Sequence, residues 1–177
     1  AASQTNLALL KAVRHRCPDA FIVYKPHPDV QADLRVGRLS SIQLEGLSDA
    51  VIERLDMPSC LANADEVHTL TSLTGFEALL RGVAVTCYGM PFYAGWGLTT
   101  DVMECERRSQ PISLETLVYG ALIACPMYMI PDREGFATVE QVIHEIQLTK
   151  HHPQQSHWSV GRWLLAGIAR IRAFFLM

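Results

Sequence analysis

Apolar residues recur with two different periods along this chain. Leu7, Leu10 and Val13 recur at helical spacing, which predicts a first helix. Short apolar or alternating runs are typical of strands, and further helical segments separate them. The predicted strands cover residues 20–24, 66–71 and 83–88, and the predicted helices that separate them cover residues 58–64 and 75–81.

Two more helices are predicted in the second half of the chain. Ser113 suits the N-cap of a helix that carries Leu114, Leu117, Val118, Ala121 and Leu122 on one face. Thr138 and Gln141 form a capping-box pattern before a stripe of Val139, Val142, Ile143 and Ile146. The polar stretch from about residue 29 to residue 50 has no clear pattern.

Helices and strands therefore alternate, which predicts an α/β fold: an open, Rossmann-like parallel sheet with helices on both faces. We assign residues 1–149 to this domain and residues 150–157 (KHHPQQSH) to a polar linker. Residues 158–177 form a separate amphipathic segment.

Composition excludes several classes of protein. The chain has 177 residues, of which 49% are hydrophobic, and a formal net charge of -3. A negative net charge argues against a general nucleic-acid-binding protein. The five scattered cysteines have no zinc-ligand spacing and form no disulfide framework, which favours a cytoplasmic protein without a metal.

The first candidate site follows the predicted strand 20–24. Lys25 and His27 alternate with Pro26 and Pro28, so their backbone is held extended at the carboxyl end of that strand, where open parallel sheets bind ligands. A cation and an imidazole there suit an anion. The alternative interpretation is a surface histidine in an ordinary proline-rich turn.

The second candidate site follows the strand 66–71. Unpaired N–H groups at the start of the next helix would bind an anion, Gly75 would admit it closely, and the Ser72 and Thr74 hydroxyls would donate hydrogen bonds. Glu77 could accept from a ribose diol. The alternative is a plain capped helix, with Thr74 as N-cap and Glu77 completing a capping box.

The glycine-rich and aromatic loop 89–99 (GMPFYAGWGLT) follows the third strand. Tyr93 and Trp96 could form the wall of a sugar or base pocket. Alternatively, these aromatic rings pack against the edge of the sheet and support the site indirectly.

The same motifs resemble a known family. YKPHP (residues 24–28) and TSLTGFEALLRGVAVTCYGMPFYAGWGLTTD (residues 71–101) are similar to the capsule polysaccharide biosynthesis proteins of KpsC/LipB type, which are β-Kdo glycosyltransferases of Gram-negative bacteria. The resemblance covers the chain to about residue 148. It implies the donor-binding half of a GT-B fold, without the preceding acceptor-binding half that carries the main catalytic carboxylates.

The resemblance also implies roles for individual residues. The donor would be CMP-Kdo, used by a retaining transferase without a cofactor or metal. His27 would stabilise the phosphate of the leaving CMP, with Lys25 beside it. Ser72, Thr74 and Gly75 would hold the same phosphate, and Glu77 the ribose. We expect this half to be inactive alone.

Two other functions fit the same residues. One is a non-catalytic or degenerate nucleotide-binding module that serves assembly in capsule synthesis and export. The other is a different nucleotide-sugar enzyme such as an epimerase, which would not explain the loop 89–99.

The segment 158–177 (WSVGRWLLAGIARIRAFFLM) has apolar and aromatic residues on one helical face and arginines on the other. This pattern is typical of an interfacial helix. In the resembled family the glycolipid acceptor lies at the cytoplasmic face of the inner membrane, which is where we expect this protein to act. The alternative is that the helix packs on the acceptor-binding half.

Overall fold

The computed structural model of the protein describes residues 5–27, 39–131 and 134–151. Contacts divide the chain into two compact units, Ala1–Leu117 and Val118–Met177. This division falls inside the stretch that the sequence predicts as one domain, so the predicted boundary at residue 149 stays a prediction. Most of the predicted linker and all of the segment 158–177 lie outside the described residues.

The described part of the chain contains six α-helices and five short strands, which alternate as far as β4. The helices are α1 (Asn6–Arg16), α2 (Ser41–Leu44), α3 (Met57–Leu61), α4 (Thr74–Leu79), α5 (Leu114–Tyr119) and α6 (Val139–His151), with a 3₁₀ turn at Glu106–Arg108 and a π-helical turn at Gly120–Ala124. The helices predicted from residue 58 onward are therefore confirmed, with ends shifted by a few residues. Helix α2 lies in the stretch that had no clear pattern.

The strands form two parallel sheets. The first pairs β1 (Val23–Tyr24) with β2 (Ala50–Val51), and the second has the order β3 (Glu66–Thr69), β4 (Ala84–Cys87), β5 (Thr100–Asp101). The α/β class and the parallel pairing are as predicted. Strands β2 and β5 were not predicted, because two residues are too few to show a period.

Helices lie on both faces of the second sheet, as predicted. Residues paired in register share a face, so Thr69 and Cys87 lie on one face and His68 and Thr86 on the other. Tyr93, which abuts Gly75 of α4, lies beside Thr69 and Cys87. Helix α1 contacts β3 and lies on the opposite face of the sheet, that of His68 and Thr86. Its apolar contacts are described next.

Helix α1 contributes to one apolar cluster of the first unit. Its N-cap is Thr5, whose hydroxyl accepts from the Ala8 N–H. The buried residues Leu10 and Val13 pack against Ile22, just before β1. The partly buried residues around this cluster are Leu9, Tyr24, Leu39, Leu44, Leu47 and Tyr88.

Strand β1 is shorter than the predicted strand 20–24. The Ile22 carbonyl still accepts from the Asp49 and Ala50 N–H groups, but side chains bond to other backbone groups before Val23. Arg14 Nη1 donates to the Ala20 carbonyl at 2.9 Å, and the Ile22 N–H donates to Asp49 Oδ2 at 2.7 Å. The Ile22 N–H and the Arg14 guanidinium, 2.6 Å from the same carboxylate, hold the pKa of Asp49 below its usual value.

The second unit contains α6 and the turn before it. The predicted capping box is confirmed: Gln141 N–H donates to Thr138 Oγ1 at 3.3 Å, and Thr138 N–H donates to Gln141 Oε1 at 2.9 Å. Ile143 and Ile146 of the predicted apolar stripe are exposed.

Candidate functional site

The first corner of the candidate site follows β1. Pro26 is buried, and the next residue, His27, is exposed to solvent. Lys25 Nζ donates to the Leu55 carbonyl at 2.7 Å. An ammonium has three donors, so this bond ties Lys25 to the loop after β2 and leaves donors for a ligand. Pro28 lies outside the described residues.

The second corner follows β3 and centres on Ser72. Its N–H donates to Thr69 Oγ1 at 3.1 Å, and its carbonyl accepts from both the Gly75 N–H and the Tyr93 hydroxyl. Its hydroxyl accepts from the Thr74 N–H at 3.3 Å and donates to Thr74 Oγ1 at 3.1 Å. The N–H, carbonyl and hydroxyl groups of Ser72 are therefore all fixed by hydrogen bonds in the absence of a ligand.

These bonds differ from the predicted set of unpaired amides. The N–H groups of Thr74 and Gly75 are both used within the turn. The Thr74 hydroxyl oxygen accepts from Ser72, which leaves the Thr74 hydroxyl hydrogen as the donor that can turn toward a ligand. The alternative interpretation took Thr74 as the N-cap of this helix. In the structure Thr74 is the first helical residue and Leu73 is the N-cap.

The structure explains why residue 75 is a glycine, which the sequence did not reveal. A Cβ at this position would lie 2.2 Å from Tyr93 Oη and 2.7 Å from Tyr93 Cζ. The space on the Cβ side of Gly75 is filled by Tyr93. Gly75 thus allows Tyr93 to reach the Ser72 carbonyl, and a phosphate-binding role for Gly75 stays a prediction.

Tyr93 differs from the predicted pocket wall because it is 0% exposed. Burial raises the pKa of its hydroxyl far above the usual range, so it remains a hydrogen-bond donor. Its ring packs with Phe76 and Phe92, at centroid distances of 6.4 Å and 5.2 Å. Tyr93 supports the second corner from behind, which is the alternative interpretation of the aromatic loop.

The loop 89–99 is held in place by two charged residues beyond it. Arg108 Nη1 donates to the Pro91 carbonyl at 2.6 Å and to the Ala94 carbonyl at 2.8 Å. Asp101 Oδ2 accepts from the Gly95 N–H at 2.8 Å. The Arg108 guanidinium also lies 5.6 Å from the ring centroid of Trp96. Trp96 is half-buried, so of the two predicted wall residues it is the one that solvent reaches.

A cavity of about 320 Å³ opens beside this loop. No sequence pattern predicted it, because most of its lining comes from residues 101–108. Neither Tyr93 nor Trp96 lines it. The lining residues are Gly95, Gly97, Asp101, Met103, Glu104, Cys105, Glu106 and Arg108.

A polar cluster on the α1 face of the second sheet was also missed. His68 Nδ1 lies 3.4 Å from the Tyr88 hydroxyl, and His68 Nε2 lies 3.5 Å from Glu66 Oε2. Burial lowers the pKa of His68; the Glu66 carboxylate opposes this shift, and Arg16 adds to it. The alternating pattern of residues 66–71 predicted the strand but not which polar side chains meet on it.

Glu77 is half-buried on α4, where its carbonyl accepts from Arg81 Nη1 at 2.9 Å. Its predicted contact with a ribose stays a prediction. Within residues 5–27, 39–131 and 134–151, no three His, Cys, Asp or Glu side chains are grouped closely enough to hold a metal ion. No helix among those residues has the length and apolar character to cross a membrane.

Comparison with known sequences places this α/β chain in a family. The sequence profile of the family described as "Capsule polysaccharide biosynthesis protein" matches residues 1–131. The chain is 53% identical over 127 residues to the capsule polysaccharide modification protein LipA of Neisseria meningitidis serogroup B, which covers 72% of this chain and 18% of LipA. It is 36% identical over 151 residues to the lipopolysaccharide-processing protein LpsZ of Rhizobium meliloti, covering 85% of this chain and 34% of LpsZ.

Two solved structures are similar. The beta Kdo 2,7 transferase of Thermosulfurimonas dismutans KpsC superposes with a TM-score of 0.73 at 46% identity, covering 83% of this chain and 47% of that one. The beta Kdo 2,4 transferase of the same KpsC gives 0.65 at 32% identity, covering 78% and 43%.

The chain belongs to the capsule polysaccharide biosynthesis protein family. It has the fold of part of the KpsC Kdo transferases. It spans only 18% and 34% of the length of LipA and LpsZ.

Proposed function

We propose that this chain is the donor-binding part of a retaining β-Kdo glycosyltransferase that uses CMP-Kdo in capsule polysaccharide biosynthesis. The observation that carries the proposal is the Ser72 turn after β3, which is held by hydrogen bonds in the absence of a ligand and in which the Thr74 hydroxyl oxygen accepts from Ser72, leaving its hydrogen as a donor. The 46% identity to a KpsC transferase that covers 83% of this chain supports the choice of sugar.

The chemistry of the step suits these residues. When the sugar–phosphate bond of CMP-Kdo breaks, negative charge grows on the phosphate oxygen that leaves with CMP. Donors that are already fixed stabilise this charge without reorganising. Thr74 would donate its hydroxyl hydrogen, His27 an imidazole N–H and Lys25 an ammonium hydrogen, while Glu77 would accept from the ribose.

The acceptor would bind elsewhere in the protein. We propose that the carboxylates which act on a glycolipid acceptor lie in an N-terminal, acceptor-binding half of a GT-B enzyme. On this proposal the 177-residue chain alone has no transferase activity.

We place the enzyme at the cytoplasmic face of the inner membrane. If the segment 158–177 is interfacial, a peptide of that sequence will sediment with anionic liposomes; a peptide that stays in the supernatant argues against membrane contact.

Isothermal calorimetry with CMP tests the proposal directly. We expect His27→Ala to weaken CMP binding about tenfold or more, because a hydrogen bond to a charged group contributes about 1.5–3 kcal/mol. His144→Ala is a matched control, since His144 is an exposed histidine on α6. Absence of CMP binding to the folded protein would refute the proposal and leave the non-catalytic assembly module.

A further inference from the structure

The second unit buries very little of its apolar surface. Within residues 118–131 and 134–151, Ile130 is its one buried hydrophobic residue. Nine of its large hydrophobic residues are exposed, among them Met127, Met129 and Phe136. Because extended exposed apolar surface on a folded protein marks a contact site, something covers this unit in solution.

Helix α6 carries the most regular part of this surface. Val139, Val142, Ile143 and Ile146 recur at the spacing of a helix that packs along one face, and we call them the α6 stripe. Val139 and Val142 are half-buried, whereas Ile143 and Ile146 are 49% and 47% exposed. The described residues therefore leave the α6 stripe open.

The charges beside the α6 stripe restrict what can cover it. At about 3.6 residues per turn, Glu140 and Glu145 lie on opposite sides of the stripe. Residues 134–151 contain three glutamates and one lysine. A second copy of α6 would bring the same glutamates against them, and an anionic lipid surface would repel them. The cover that fits is apolar and basic.

The segment 158–177 of this chain has that chemistry. It contains three arginines and no acidic residue. In the helix predicted for this segment, Arg170 and Arg172 lie on opposite sides of the apolar face. When two such faces meet, the flanking arginines come beside the flanking glutamates, as charged residues do along the seam of a coiled coil.

The connection and the length also fit. Residues 152–157 separate the segment from α6 and include Pro153, which interrupts a helix. Antiparallel helices are commonly joined by about 2–8 residues. A helix of the 20 residues 158–177 would be about 30 Å long, and the 13 residues of α6 span about 20 Å. The segment can therefore cover the whole α6 stripe.

We propose that the segment 158–177 packs against the α6 stripe as the second helix of an antiparallel pair. The short connection raises the effective concentration of the segment at α6 above that of any separate partner. The family profile ends at residue 131, so α6 and the segment both lie beyond the residues that match it.

Tryptophan fluorescence of the 177-residue chain tests this packing. Trp96→Phe leaves Trp158 and Trp163, both in the segment, as the only tryptophans. We expect their emission maximum to lie at a shorter wavelength in buffer than in urea. Ile143→Glu/Ile146→Glu should move the maximum most of the way to its value in urea. A maximum in buffer equal to that in urea, or one that this variant leaves in place, would overturn the proposal.

Ile42→Glu is the matched control for the α6 variant. Ile42 is also an exposed isoleucine, but it lies on α2, outside the second unit. The same change of isoleucine to glutamate there should leave the emission maximum where it is. A shift as large as that of the α6 variant would show that the effect is not local to α6 and would contradict the proposal.

Charge reversal gives a second readout that keeps the α6 stripe intact. Glu140→Arg/Glu145→Arg should move the emission maximum to longer wavelength at low ionic strength, where charge interactions are least screened. Adding Arg170→Glu/Arg172→Glu to that variant should restore the maximum of the parent chain. A fourfold variant that shows no recovery would contradict the proposed pairing.

The two other covers predict different results. If a second copy covers the α6 stripe, light scattering will give the mass of a dimer and the emission maximum will depend on protein concentration. If a lipid surface covers it, the maximum will move to shorter wavelength only when vesicles of anionic phospholipid are added. Either result would overturn the proposal.

Discussion

Gly75→Ala is the substitution that most sharply tests how the second corner is built. The added Cβ would lie 2.2 Å from Tyr93 Oη and 2.7 Å from Tyr93 Cζ. Tyr93 cannot swing away easily, because it is 0% exposed and its hydroxyl is bonded to the Ser72 carbonyl. The backbone of α4 must therefore shift, or the Tyr93–Ser72 bond must break.

The cost follows from these two effects. Overpacking of a tight site costs about 1–3 kcal/mol, and a lost hydrogen bond costs about 1 kcal/mol. The better helix propensity of alanine returns less than about 1 kcal/mol. We expect Gly75→Ala to lower the free energy of unfolding by about 2–3 kcal/mol, measured by urea denaturation.

Controls separate this explanation from a phosphate-binding role for Gly75. A Cβ at Gly120 would meet no neighbouring atom within 4 Å, so Gly120→Ala should leave stability unchanged or raise it slightly. Tyr93→Phe removes the closest atom, so the double variant Gly75→Ala/Tyr93→Phe should cost less than the sum of the single variants. If Gly75→Ala weakened CMP binding with no loss of stability, the packing explanation would be refuted.

Three further predictions concern groups outside the Ser72 turn. Arg108→Met should lower the free energy of unfolding by about 1–3 kcal/mol, because it removes a charged donor from two loop carbonyls; an unchanged urea midpoint would contradict it. Burial lowers the pKa of His68, so its contribution to stability is complete above the ordinary value of 6.5 and is lost as pH falls below that. His68→Gln should therefore reduce the loss of Tm between pH 7 and pH 5, and an unaltered pH profile would refute this. The pKa of Asp49 is lowered by Ile22 and Arg14, so its contribution is present above its ordinary value of 3.8 and is lost as pH falls through the lower folded value. Asp49→Asn should thus lower Tm at neutral pH, and the difference from the native chain should shrink in acid; a difference independent of pH would count against the ion pair.

The sequence predicted the elements whose pattern is long enough to have a period. Helix α1 and strands β3 and β4 are examples, since their apolar residues recur over several positions. Strands β2 and β5 have two residues each, and only their partners define them. The division of the sheet between β1 and β3 depends on pairing, which no local pattern encodes.

The candidate site was predictable in its residues more than in its contacts. The sequence placed Lys25 and His27 after one strand and Ser72 to Gly75 after another, and the structure agrees. It could not choose between the two reasons for a glycine at residue 75, because the atoms that occupy its Cβ position belong to Tyr93. The burial of Tyr93 likewise depends on Arg108 and Asp101, which hold its loop from outside the motif.

A double-mutant cycle on CMP affinity tests most directly whether the two corners hold one phosphate. The variants are His27→Ala, Thr74→Val and their combination, each measured by calorimetry. If both side chains donate to the same phosphate, the losses in binding free energy will differ from additivity by more than about 0.5 kcal/mol. Losses that add to within about 0.3 kcal/mol would mean that the corners act separately and would contradict the account.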